Sequence, residues 1–391
     1  MNGIITEYCT GCRACEQLCA RKAIEMKPNA EGFLEPVVNK TKCINCDLCI
    51  KRCPQNGEVG KHGTIETFAV RDKIDKELRH SASGGAFAVV ARNVLKNGGY
   101  VVGAAYVNHF KVKHIVINQI EDLQQLQSSK YVQSNTEQTY TEVEQLLKIG
   151  KQVLYSGTPC QVGGLKSYLH KEYSNLLTIE VICHGVPSPK LFAKYINWLE
   201  SKMHGKLVSY NFRDKAYGWG LDYMTKTKTK TKTKSNVLDP YYTYFLRGNT
   251  YRECCYKCKY CTPQRVSDFT IGDYWGIEKE HPEFNSIKGV SCLLINTPKG
   301  ADYWAQNKDA FFFLKSSFEK VAKINHNLRY PTPRPAIRDR VYKHIDDMND
   351  REFFATQMPI PYNYKARIKA MIPISIRRFI KTKVLTRINK T

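Results

Sequence analysis

The sequence predicts an α+β protein in two unequal parts, a small cysteine-dense module at the N-terminus and a larger core of mixed α/β structure. Three observations predict it. Eight of the 15 cysteines lie between Cys9 and Cys53, in two regularly spaced runs. From residue 64 to about 326, apolar or alternating runs of strand length interleave with segments of helical spacing. A chain of 391 residues with 42% hydrophobic and 11% aromatic content has material for roughly two or three packed domains and is too apolar to be disordered.

The elements follow in order. Residues 1–57 form the cysteine-dense module, with few apolar runs of core size. Residues 54–62 read as a linker punctuated by glycines. The core divides into a first part, 64–150, and a second, 151–326. In the first, Phe87, Val90, Val94 and Leu95 give residues 86–95 the spacing of a helix. Strands are expected at 100–107 and 112–118 and a helix at 136–148. In the second, a strand at 152–155, a helix at 159–169 with Pro159 at its start, a strand at 176–183 and a helix at 187–203 follow in turn. Further strands are expected at 208–212, 268–272 and 290–296. Residues 327–391 read as a Pro/Arg-rich wrap on the outside, ending in a basic tail.

The formal net charge is +24, and 14 of those charges sit in two places. One is the tract Lys226, Lys228, Lys230, Lys232 and Lys234. The other is the tail from residue 363, with Lys365, Arg367, Lys369, Arg377, Arg378, Lys381, Lys383, Arg387 and Lys390. The Thr–Lys tract has strand periodicity with a Lys face and a Thr face, so it reads as an exposed hairpin arm or a loose loop. The tail is basic and amphipathic but broken at Pro373. Either it packs as a terminal helix, or it makes weak, salt-sensitive contact with an anionic membrane surface. Without stacking aromatics or a reading motif, neither segment points to nucleic acid. No apolar run of about 18 residues is present, so no transmembrane helix is expected. The first residues show no signal-peptide pattern either. The expected location is the cytoplasm, peripheral at the inner membrane surface if the tail adheres. Disulfides are disfavoured there, so a chain this rich in cysteine asks for metal or catalysis.

The first cysteine run is Cys9-x2-Cys12-x2-Cys15-x3-Cys19. The second is Cys43-x2-Cys46-x2-Cys49-x3-Cys53-Pro54. This is the 4Fe–4S spacing of bacterial ferredoxins, in which the fourth cysteine of each run ligates the other cluster. The expected ligands are therefore Cys9, Cys12, Cys15 and Cys53 for cluster one. Cys43, Cys46, Cys49 and Cys19 are expected to hold cluster two. Zinc prefers separated pairs and does not require this pattern. Gly11 and Ala14 leave room for backbone amides to approach the sulfurs.

Six motifs follow in the core. Ser83-Gly84-Gly85 precedes a helix, where backbone amides and the dipole suit an anion. Lys130, Tyr131, Gln133 and Ser134 gather a cation, an aromatic and hydrogen-bonding groups. Gly157-Thr158-Pro159-Cys160 and Cys183-His184-Gly185 each follow a strand, and ligands bind α/β sheets at that end. Cys160, at a helix N-terminus, is expected to have thiolate character. Cys254, Cys255, Cys258 and Cys261 form a dense third group, compatible with a cubane loop or a zinc knuckle. The turn at 268–276 carries aromatics that would wall a flat cofactor, or simply belong to the core.

With these motifs in this order, the chain resembles the coenzyme F-420 hydrogenase/dehydrogenase beta-subunit family. It is most similar to stand-alone bacterial members with an N-terminal two-cluster 4Fe-4S ferredoxin domain, over residues 1 to about 300. The resemblance implies a flavin-binding core that holds FAD and a further 4Fe-4S cluster. Cys160, Cys183, Cys255 and Cys258 would carry that cluster. Ser83, Gly84, Gly85, Lys130, Tyr131, Gln133, Ser134, Gly157 and Thr158 would contact the flavin. Cys254 and Cys261 leave the ligand choice open, since Cys261 in place of Cys160 would free Cys160 as a redox thiol. His184 reads as a proton donor, a hydrogen-bonder to the cluster, or a neutral, satisfied histidine. Cys160 and His184 are thus the candidate catalytic residues. The implied activity is an iron–sulfur flavoenzyme oxidoreductase. It would take electrons from a donor such as ferredoxin, or from a redox partner subunit, and pass them to a hydride acceptor. Members of this branch are often encoded with polysaccharide-assembly enzymes, which suggests a link to polysaccharide biosynthesis. The alternative is a non-catalytic electron-transfer subunit feeding a partner enzyme.

Overall fold

The structure is a computed structural model, which describes residues 8–360 and 362–372, with Ile376 and Phe379 beyond them. In the module, the short helices Ala14–Leu18 and Leu48–Lys51 flank an antiparallel hairpin of β1 (Ile24–Pro28) and β2 (Leu34–Val38). That hairpin carries no clear sequence signal. Its buried residues are only Ile24, Met26 and Pro36, too few to stand out as an apolar run.

The core is built on one eight-stranded sheet. Its strands are β3 (Glu66–Asp72), β4 (Tyr100–Val107), β5 (Lys111–Ile117), β6 (Val153–Gly157), β7 (Leu176–Val181), β11 (Phe269–Asp273), β12 (Ser291–Ile295) and β13 (Phe311–Ser316). The intervening β8 (Leu207–Asn211), β9 (Asp222–Thr227) and β10 (Thr231–Ser235) make a separate three-stranded sheet. The large sheet runs β13-β3-β12-β11-β7-β6-β4-β5. Its centre, β4, β6, β7 and β11, is parallel, and the flanking strands are antiparallel. Both parts of the core contribute to this sheet, and the boundary near residue 150 falls inside it.

Alternation along the strands decides what covers each face. Val101, Leu154, Leu177 and Leu293 pack under the Ala86–Lys96 helix. Val102, Val153, Tyr155 and Leu176 pack under the helices Thr139–Lys148 and Pro159–Leu169. Buried on both faces, the central strands are near-continuous apolar runs, which is why the sequence locates them to within a few residues. Cys292 is fully buried among Ala69, Tyr274 and Leu294 and stands apart from the other cysteines.

The small sheet packs with the helices Pro189–Met203 and Pro240–Leu246 around an aromatic cluster that includes Phe192, Tyr195, Tyr241 and Tyr242. The segment after 326 does more than wrap the outside, because Val341, Phe353 and Met358 are fully buried in this cluster. The Thr–Lys tract is a hairpin arm, in keeping with its period. Thr225 and Thr227 face inward, Lys226, Lys228 and Lys230 face solvent, and β10 is the sheet edge. The tail begins as the helix Tyr364–Met371. The rest of the expected amphipathic stretch, apart from Ile376 and Phe379, lies outside the described residues.

The module is locked to the core. In the Pro159–Leu169 helix, a Cβ at Gly163 would meet the Tyr260 hydroxyl at 2.5 Å. One at Gly164 would meet Cys12 Cβ at 3.0 Å. Arg252 donates to the carbonyls of Cys9 (2.7 Å) and Leu34 (3.0 Å), and Gln133 donates to Thr10 O (2.8 Å). Arg338 pairs with Glu31. Gly164→Val forces a branched side chain into Cys12 and Tyr140, at an expected cost of about 1–3 kcal/mol. Thermal unfolding should show that loss, together with faster proteolysis of residues 54–62; protection equal to wild type would refute it.

Candidate functional site

Adjacent parallel strands β6, β7 and β11 end side by side, so Thr158 and Cys160, Cys183 and His184, and Asp273 and Trp275 emerge at one edge. Cys254, Cys255, Cys258 and Cys261 close over them, and the six thiols are electrostatic neighbours. Burial, followed by Cys258 and Cys183, raises Cys160. Burial, followed by Cys258, pushes Cys183 up to about 12. In the pairs Cys254–Cys255 and Cys258–Cys261, one sulfur accepts the other's proton, and Cys258 is held down to about 7 by the Cys261 hydrogen bond. The thiolate expected at Cys160 is therefore not formed. Burial outweighs the helix N-terminus, and the Thr158 hydroxyl 3.1 Å away lowers it only in part. Among the described residues, no three Cys, His, Asp or Glu side chains converge tightly enough for a single ion.

A buried ion pair aims this loop. Glu180 of β7 pairs with Arg265, whose guanidinium donates to Tyr260 O (3.0 Å) and Thr262 O (2.9 Å) on either side of Cys261.

In the module, Cys53 acts electrostatically on Cys9, Cys12 and Cys15, and Cys46 and Cys19 act on Cys49. Burial is the largest cause at Cys9, Cys12 and Cys15, each of which is raised, with Cys12 pushed up to about 12. Backbone amides reach two sulfurs, Gly11 N–H to Cys9 (3.4 Å) and Ala23 N–H to Cys19 (3.3 Å). Cys15 also feels Cys49, and Cys9 feels Cys254, so the three groups adjoin in series. Tyr260 stands at the second junction, among Cys160, Cys12, Cys258 and Cys53, and its buried hydroxyl has no hydrogen-bond partner.

Beside Cys160 and Cys183 opens a cavity of about 450 Å³. Eight of the nine residues expected to touch a flavin line it. The exception is Gly84, pressed between Val70 O and Ser291 N. Several are engaged elsewhere. Ser83 donates to Val290 O (2.7 Å), Gln133 is tied to Thr10, and the Tyr131 ring stacks on Phe245 at 4.3 Å. Gly85, at φ +82°, is the N-cap of the Ala86–Lys96 helix, whose first turn has no side-chain cap and faces the cavity. Lys130 donates to Gln125 O and Gln127 O, and burial brings its ammonium down to about 7.

Among the other lining groups, Arg213 carries no signal in the sequence, whereas Asp273 and Trp275 lie in the turn at 268–276. Arg213, one residue past an expected strand, forms a bidentate pair with Asp273 (2.6 and 2.8 Å). Burial opposes the Asp273 charge, but Arg213 and the Trp219 N–H outweigh it and hold the carboxyl below its usual range. Trp275 stacks on Trp219 at 5.0 Å, extending the aromatic wall. His184 Nδ1 lies 2.5 Å from Asn327 Oδ1, and burial lowers its pKa, so the ring is neutral and satisfied.

A ferredoxin module packed against an α/β core, with a further cysteine group at the core's strand ends, defines an iron–sulfur protein of the oxidoreductase type. Residues 8–56 match the 4Fe-4S dicluster domain, and residues 150–319 match the C terminus of the beta subunit in the coenzyme F420 hydrogenase/dehydrogenase family. That match covers residues 150–319 of the chain's 391, so what this chain shares with the family is the C-terminal domain. The module is 36% identical over 59 residues to an uncharacterized polyferredoxin-like protein of Methanocaldococcus jannaschii, covering 13% of this chain and 35% of that one. It is 38% identical over 45 residues to the ferredoxin-type protein NapF of Haemophilus influenzae, covering 12% and 26%. The chain thus spans about a third and a quarter of those relatives' lengths. A chain of the F420-reducing [NiFe] hydrogenase complex from Methanosarcina barkeri aligns at 14% identity and a TM-score of 0.44, over 75% of this chain and 92% of that one.

A buried histidine behind the cavity makes the site pH-sensitive. His114 bonds Ser156 O (3.0 Å) and Ser134 Oγ (2.9 Å), and Ser134 in turn accepts from Gln161, the capping partner of Thr158. Burial lowers the His114 pKa from 6.5 to about 4. The folded state keeps the ring neutral while the unfolded chain protonates it below pH 6.5. Its contribution is therefore full above 6.5 and is lost as the pH falls toward 4. Between pH 7 and pH 5 the expected loss is about 2 kcal/mol. Denaturant midpoints of His114→Gln should lack that increment; a pH dependence identical to wild type would contradict it.

Proposed function

We propose that the chain is an iron–sulfur flavoenzyme, relaying single electrons from a redox partner such as ferredoxin through three four-cysteine sites to FAD in the cavity. The observation that carries this reading is the series of cysteine groups. It starts at exposed Cys46, passes the junction of Cys9 with Cys254, and ends at Cys160 on the cavity wall. The groups fit clusters. Thiols of each run are electrostatic neighbours, backbone N–H groups reach Cys9 and Cys19, and the unpartnered Tyr260 hydroxyl among Cys160, Cys12, Cys258 and Cys53 is a donor that a cluster sulfur would satisfy. Cys9, Cys12, Cys15 and Cys53 would hold the first, and Cys19, Cys43, Cys46 and Cys49 the second. Cys160, Cys183, Cys255 and Cys258 would hold the third, with Cys254 and Cys261 as competing ligands.

The cavity fits a flavin nucleotide. Its volume lies in the range of ligand pockets. The uncapped helix after Gly85 offers amide N–H groups to phosphate, as Lys130 offers a cation. Trp275, backed by Trp219, provides a flat wall. Bound FAD supplies the exchange between one-electron and hydride chemistry. The chain's own residues set the stage for it. The Arg213–Asp273 pair fixes β11 to the Tyr131 side of the pocket, because Arg213 also donates to the Tyr131 hydroxyl (3.1 Å). His184 donates from Nδ1 to Asn327, leaving Nε2 free to accept a proton. Cys160 acts as a ligand in this scheme, since a thiol held protonated by burial is a poor redox nucleophile. The resemblance to stand-alone bacterial members supports a link to polysaccharide biosynthesis, and the basic, amphipathic tail supports weak contact with an anionic membrane surface.

Anaerobic purification followed by iron, sulfide and released-flavin assays on one sample tests the reading. About twelve irons and one FAD per chain are expected. Clusters without FAD would overturn catalysis here and leave an electron-transfer subunit feeding a partner enzyme.

A further inference from the structure

The three cysteine groups are not equally accessible. Of the module's cysteines Cys46 alone is exposed; Cys9, Cys12, Cys15, Cys43 and Cys49 are half-buried, with the first three more deeply enclosed than Cys49. On the same loops, Ile44 is 62% exposed and Leu48 38%. Around them stand exposed Arg21, Lys22, Lys40, Lys42 and Lys51, each within three residues of Cys19, Cys43 or Cys49, and Asp47 is the one acid on the Cys43–Cys49 loop. A small apolar centre with a charged rim of one sign is the form of a transient electron-transfer interface. The positive rim accelerates encounter with a negative partner and orients it.

We propose that this face, centred on Cys46 and Ile44 and ringed by Arg21, Lys22, Lys40, Lys42 and Lys51, is the docking surface for a small acidic one-electron carrier. One electron leaves the reduced carrier and one is taken up at the site of Cys19, Cys43, Cys46 and Cys49; no bond to hydrogen or carbon changes. This rests on the reading that those four thiols hold a cluster. It adds the entry point, the order of the series and the charge of the partner. The lysines of the β9–β10 arm are the rival cationic surface, but their sheet carries no cysteine.

The test uses the anaerobically prepared full chain and, as probe, a reduced acidic two-cluster ferredoxin. Its affinity and its second-order rate of electron transfer are measured at low and high salt. In K40E/K42E/K51E the rate at low salt should fall about tenfold or more, with weakened binding and a flattened salt dependence. Reduction by dithionite, which needs no docking, should stay as in wild type, and iron content should be unchanged. The neutral variant K40Q/K42Q/K51Q should lie between. In K226E/K228E/K230E carrier binding should be retained. A fully loaded K40E/K42E/K51E protein that binds and accepts electrons like wild type overturns the docking face. Loss confined to the β9–β10 variant overturns it too. A wild-type module with only one cluster overturns the reading beneath it, which the iron and sulfide assay distinguishes.

Discussion

At Gly164 a side-chain carbon would come within 3.0 Å of Cys12 Cβ, and at Gly163 within 2.5 Å of the Tyr260 hydroxyl. These two bare positions let the first cysteine loop of the module lie directly on the Pro159–Leu169 helix, which carries Cys160 in its first turn. Everything downstream depends on that approach. It brings Cys9 beside Cys254 and sets Tyr260 between two thiol groups, while Cys46 of the second run stays exposed. Two neighbouring glycines weaken a helix by roughly 1 kcal/mol each relative to alanine, so their presence is better explained by contact than by local stability.

Holding the cysteine loops requires charges in places that burial disfavours. Arg265 and Glu180 are almost wholly inaccessible, as are Arg92 and Asp72. Removing one member of such a pair typically costs about 3–5 kcal/mol because the other is stranded. The pairs nonetheless do what apolar packing cannot. Arg265 reaches two carbonyls flanking Cys261, and Arg213 links Asp273 at the end of β11 to Tyr131 across the cavity. Each fixes an irregular segment to a strand end by directional bonds, and strand ends are where the sheet holds position best.

The parallel centre of the sheet and the two ferredoxin runs are legible in the sequence for the same reason: their signals are local. Strands buried on both faces are apolar throughout, and a cysteine loop is written in consecutive residues. The Pro159–Leu169 helix is readable to its last residue, from Pro159 at its start and the strand before it. What escapes is long-range. β3 and β13 join the sheet across some 240 residues of chain, so their pairing has no local mark. Arg213, His114 and Arg252 take their roles largely from partners more than 40 residues away. The segment after 326 reads as exterior because Pro and Arg signal exposure, while Val341, Phe353 and Met358, widely spaced, carry its burial.

Cys160 shows how magnitudes decide a role. Its place at a helix N-terminus argues for a thiolate, but that dipole contributes at most about 2 kcal/mol, or roughly 1.5 pKa units. Burial of the sulfur opposes it, and so do the neighbouring thiols Cys258 and Cys183, which disfavour another negative charge in the same place. A bare thiolate cannot prevail in that company. A positive metal centre inverts the balance, since coordination deprotonates a thiol outright. It would also turn the crowding of Cys160, Cys183, Cys255 and Cys258 from repulsion into a ligand set. The same features that make Cys160 unreactive alone are those expected of a residue whose charge is to be neutralised by iron.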